Sequence, residues 1–202
     1  MADPCLLQAS RAFRDPHLSF AHGGRADFRG RHNGIYNFLS APGFAVNVKT
    51  EQAVFTIHEG ALTVNGTFLT EAHVVAEMPH QRRAVASFWA SELDSQQQGW
   101  QVVNGSCTGR RFKFGRKGHK TCFELEMAMT YSSATFELGG WTMTVHGMPS
   151  CRGCLVAGPG HRLDIGFTAR GDALRDKCHG IIGPRLALPS LGRVYSCLLT
   201  HL

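Results

Sequence analysis

Apolar and polar residues alternate with a period of two through much of the chain. Residues 44–49 (Phe-Ala-Val-Asn-Val-Lys) and 53–58 (Ala-Val-Phe-Thr-Ile-His) read as half-buried strands. Glu59-Gly60 and Asn65-Gly66 bracket residues 61–64, and residues 67–70 follow, the arrangement expected of tight hairpins. Residues 123–129 and 135–138 continue the alternation to Gly139-Gly140, a hairpin turn, and residues 141–146 resume it. Strands with one apolar face must bury it against another layer. The pattern therefore predicts an all-β protein, a β-sandwich of two packed, mainly antiparallel sheets, with one short helix near residues 172–177 between Gly171 and Gly180.

Composition narrows this further. The protein has 202 residues, 43% hydrophobic and 18% charged, with 23 Gly, enough for one ample domain and too apolar for intrinsic disorder. No apolar run is long enough for a membrane-spanning helix. Formal net charge is +6, which favours polyanionic or acidic partners. The densest charge lies at Arg110, Arg111, Lys113, Arg116, Lys117 and Lys120, with Phe112 and Phe114 interleaved. Two readings stand side by side: a site for sulfate or phosphate groups with rings to stack on, or a solvated hairpin tip whose Phe side chains turn to the core. No nucleic-acid motif accompanies the cluster, so acidic glycans fit better than nucleic acid.

Seven Cys and two N-glycosylation sequons, at Asn65 and Asn104, suit an oxidising, secreted or cell-surface setting. Residues 1–7 nevertheless show neither a positive n-region nor a long h-region, so no signal peptide is visible. The candidate disulfides are Cys107 with Cys122, around the basic segment, and Cys5 with Cys178, across the domain. Cys151 and Cys154 have the spacing of a redox or zinc half-site and read best as structural. Zinc would need Cys178 and His179, or Cys107 and Cys122, as further ligands. An odd count leaves one thiol over, with Cys197 the first candidate. His17, His22 and His32 fall close together, a conceivable metal trio. No nucleophile, base and orienting group can be assembled from motifs, so the protein does not read as an enzyme.

Asp15-Pro16-His17, then Asp27-Phe28-Arg29-Gly30 and Tyr36-Asn37-Phe38-Leu39, resemble the opening of a von Willebrand factor type D domain. His179-Gly180-Ile181-Ile182-Gly183 resembles the closing motif of its root-cap-like branch and of the C-terminal regions of inter-alpha-trypsin inhibitor heavy chains. The resemblance implies a β domain over residues 12–185, flanked by an extension (1–11) and a strap or linker (186–202). It also implies a non-enzymatic extracellular module for adhesion, matrix or filament assembly, with other proteins or copies of itself as partners and no cofactor. The alternative is a polyanion- or glycan-binding domain using residues 110–120.

Where calcium-binding members of that family carry an aspartate this protein has His22, and Pro184 and Arg185 replace the oxygen ligands after the closing motif. Asp15 and Asp27 alone are too few, and Asp27 should point outward. Ile182 replaces a Cys of the closing motif, which argues against the disulfide-isomerase-like Cys-x-x-Cys chemistry proposed for some mucin-type members. EDTA is therefore expected to leave the melting temperature unchanged, and added Ca²⁺ not to raise it by several degrees.

Overall fold

The computed structural model describes residues 9–14, 16–20, 24–57, 60–94, 102–150, 156–175 and 178–182. They form two antiparallel sheets, as the alternation predicts. One has eight strands, in the order β10 (Lys117–Cys122), β11 (Leu125–Thr130), β12 (Ser133–Leu138), β13 (Trp141–Pro149), β15 (His161–Ala169), β1 (Ala9–Phe13), β2 (His17–Ser19), β3 (Arg25–Asp27). We call it sheet A. Sheet B has seven: β14 (Val156–Ala157), β5 (Phe44–Ile57), β6 (Leu62–Met78), β7 (Arg82–Trp89), β8 (Val103–Cys107), β9 (Arg110–Phe114), and β4 (Gly34–Ala41) paired to β5. The described strands begin in A, run the meander β4 to β9 through B, return to A for β10 to β13, add β14 to the β5 edge of B, and end in A, where β15 pairs with β1.

The inward positions of both sheets make one core. Val46, Val48, Val74, Ala86 and Phe88 from B meet Met127, Phe136, Met143, Leu163 and Ile165 from A. Phe44 stacks on Trp141 between the layers, ring centroids 6.5 Å apart. Strands such as β11 (Leu-Glu-Met-Ala-Met-Thr) accordingly alternate buried and exposed throughout.

The Gly139-Gly140 turn is present, with φ of 55° and 84°, both in the region a two-residue hairpin requires. The closing motif lies against β4: His179 and Ser40 exchange backbone hydrogen bonds, and Ile182 N donates to Phe38 O. Residues 179–182 thus cover the β4 edge.

Several expectations need correction. Asn65-Gly66 is not a turn; β6 runs through it, Asn65 opposite Val54 and Gly66 opposite Ala53, because the long β5 supplies partners for its whole length. Phe123 stands in a turn at φ 54°, so the strand expected over 123–129 starts at Leu125. The helix near 172–177 is a 3-10 turn at Gly171–Arg175, and a short helix α1 (Ser91–Asp94) had no periodic signal. β1 begins at Ala9 and pairs with Thr168, so the described domain reaches back past residue 12. Asp15, His22, Gly183, residues 1–8 and the strap 186–202 lie outside the described residues.

Candidate functional site

The basic segment is not a hairpin tip. Residues 110–114 form the outer edge of sheet B and residues 117–122 the outer edge of sheet A. Only Gly115 and Arg116 separate them, so the two edges run side by side from that link. At the other end Cys107, which opposes Arg110 on β8, is bonded to Cys122 on β10, Cα atoms 5.7 Å apart. Two edges are thereby pinned at both ends into one seam.

Side-chain parity decides what faces where. Phe114 turns inward and is buried; its ring lies where a Gly118 side chain would be, the ideal Cβ falling 2.8 Å from Phe114 Cδ2. Phe112 packs on the same core, its ring 6.4 Å from that of Phe114. Both rings thus lean on the core, Phe114 buried and Phe112 partly buried, in line with the reading that turns them inward. Arg110, Arg111, Lys113, Lys117, His119 and Lys120 are exposed. Arg116 is held differently: its Nη2 donates to Leu93 O at 2.9 Å, tying α1 to the seam. Among the described residues, Arg110, Arg111, Lys113, Lys117 and Lys120 take part in no ion pair. By parity Arg111 and Lys113 share one face of β9 and Arg110 the other, and Lys117 and Lys120 lie on opposite faces of β10. These five cations without an ion pair flank the seam over about 20 Å, six residues of extended backbone, and make a positive local field.

The remaining candidates scatter. The Cys107–Cys122 bond removes that pair from any zinc set. Cys178 is buried; Cys5, Cys151, Cys154 and Cys197 lie outside the described residues. Asn65 is exposed on the β5–β6 arm, and Asn104 is partly buried between Ser87 and Lys113. Of the histidine trio, His22 lies outside the described residues, and the other two are engaged separately: His17 Nδ1 pairs with Asp27 Oδ1 at 2.7 Å, whereas His32 Nδ1 accepts from Gln52 N at 3.2 Å. Among the described residues no three His, Cys, Asp or Glu gather as ligands. Asp27 does point outward, 87% exposed.

A polar row on the outer face of sheet B escapes motif reading because its register crosses strands. Lys49 Nζ contacts Glu71 Oε1 at 2.9 Å and Glu51 Oε1 at 3.0 Å. Glu71 Oε2 lies 3.2 Å from His73 Nε2, and His73 Nδ1 is 2.8 Å from Ser87 Oγ. Serine, imidazole and carboxylate in a row suggest a nucleophile, but Ser87 is only 8% exposed and Glu71 is shared with Lys49. We read it as a cross-strand brace. The one sequence signal was Glu71-x-His73, two residues on one strand face.

Burial pushes the His73 imidazole below its ordinary 6.5, against the pull of Glu71. The hydrogen bond to Glu71 raises Lys49 above 10.5, against a smaller lowering by burial. A histidine whose folded value is depressed contributes stability above the unfolded value and loses it as pH falls below 6.5. A raised lysine contributes below 10.5 and loses it as pH rises further. Thermal melts should therefore fall off on the acid side of neutrality, and His73→Asn should shallow that limb; an unchanged acid limb in the variant would contradict the assignment.

No family model matches this sequence, and no curated protein matches it.

Proposed function

We propose that this protein is a non-enzymatic extracellular interaction module, resembling a von Willebrand type D domain, that grips a linear acidic polysaccharide along the β9–β10 seam. The observation that carries the reading is the crowding of five cations, unpaired among the described residues, on two edge strands pinned together at both ends. Its geometry suits an extended polymer whose charges repeat along a line, since each cation can displace a counterion without any backbone rearrangement. The same cations repel the matching edge of a second copy, as charged edge strands do. An acidic glycan is thus favoured over self-assembly through this edge. The buried Phe114 and partly buried Phe112 favour charge over base stacking, hence glycan over single-stranded nucleic acid. The disulfide supports an oxidising compartment. Resin-bound heparin provides the test: the protein should be retained at about 0.15 M salt, where exposed charges act over only about 8 Å, and should elute above it. Passage through the column at that ionic strength would end the reading.

A further inference from the structure

A groove of about 730 Å³ lies on the outer face of sheet A over β13, β15 and β1 to β3, at the end of the sheet away from β10. Its walls come from two neighbouring cross-strand rows. In the first, Thr144, Gly166, Arg11, Ser19 and Arg25 stand opposite one another in turn across five strands. In the second, Phe13 opposes His17 and His17 opposes Asp27.

These rows bring four chemical functions together. Arg11 and Arg25 share a face with only Ser19 between them, two strand spacings or about 10 Å apart, and neither is in an ion pair among the described residues. The nearby carboxylates are already engaged: Asp27 by His17, and Asp164 by the Arg14 backbone N–H at 2.9 Å and by Arg162 Nε at 3.6 Å. Gly166 lets Thr144 and Arg11 close over the sheet between them; a Cβ there would stand 2.9 Å from Thr144 Oγ1 and 3.9 Å from Arg11 Cγ. Phe13 keeps 36% of its surface open beside the His17 ring, their centroids 5.8 Å apart. Because Asp27 occupies His17 Nδ1, the ring's Nε2 is left to meet a ligand.

We propose that this groove is a binding site for a carboxylated sugar unit, a uronate. The planar guanidinium fork is matched to a carboxylate and accepts it through two parallel hydrogen bonds, which a spherical charge on lysine does not do. Thr144, Ser19 and His17 Nε2 serve the ring hydroxyls, and Phe13 packs the C–H face of the ring. The volume falls within the range of small-molecule sites. The site rests on the general reading of the protein as a glycan-binding module but uses no residue of the seam.

The test is a nuclear magnetic resonance titration of the whole protein with glucuronic acid, its neutral methyl ester and inorganic sulfate, on wild type, Arg11→Gln and Arg25→Gln. Glucuronate should give saturable shifts confined to β13, β15 and β1 to β3, with affinity in the region of 1 mM, and each variant should weaken it by about tenfold. Arg25 sits on an exposed edge strand, so its variant tests the site without endangering the fold. The ester should bind at least tenfold more weakly. Sulfate binding as tightly as glucuronate would reduce the groove to an anion site and overturn the proposal, as would shifts unaltered in both variants or no saturation. A variant reversing the seam charges should bind glucuronate as wild type does, so failure at the groove and failure at the seam are read separately.

Discussion

Replacing Cys107 and Cys122 together by serine should lower the unfolding free energy by about 3 kcal/mol, the entropy of closing a loop of this size in the unfolded state. The bond closes a 15-residue separation and is the only described covalent tie between sheet B and sheet A other than the backbone itself. Its loss frees one end of the seam while every cation stays in place. Urea unfolding should show a lower midpoint at unchanged slope, and the double variant should also leave heparin resin at lower salt than wild type. An unchanged midpoint would mean that core packing alone, with Phe114 against Gly118, holds the two edges together.

The second large effect is on binding. Changing Arg111, Lys113, Lys117 and Lys120 to glutamate should weaken heparin binding by about a thousandfold at low salt, since four attractive contacts become repulsive. All four side chains are exposed and, among the described residues, unpaired, so stability should move by no more than about 0.5 kcal/mol per site. Arg116 is left out of this variant because its guanidinium holds the Leu93 carbonyl, and removing it would mix a structural loss with an electrostatic one. Equal heparin affinity for the variant and wild type would place binding elsewhere on the molecule.

The class of fold was readable because a half-buried strand writes its two faces into the sequence at a period of two. The pairing of β12 with β13 was readable too, since Gly139 and Gly140 supply the positive φ its turn needs. Asn65-Gly66 carried the same local signal and meant something else: whether the backbone turns there depends on β5 continuing opposite it, which is a long-range fact. The basic segment was visible as charge, but not as two edges. Alternation cannot say that Phe114 closes one sheet and Lys117 opens the other, and that step turns a solvated hairpin into a seam. The Cys107–Cys122 pairing was among the candidates because those residues flank the segment. The groove left no local trace. Arg11 and Gly166 are neighbours only because β15 returns beside β1, and Thr144 joins them from a third strand.

The most direct measurement is the salt dependence of heparin affinity for wild type and the four-glutamate variant, followed by calorimetry across a series of sodium chloride concentrations. Binding through the seam predicts that log K for wild type falls steeply and linearly with log salt, and that the slope flattens by nearly one for each cation removed. A wild-type affinity indifferent to salt, or the same steep slope in the variant, would contradict the assignment of the β9–β10 seam as the polyanion surface.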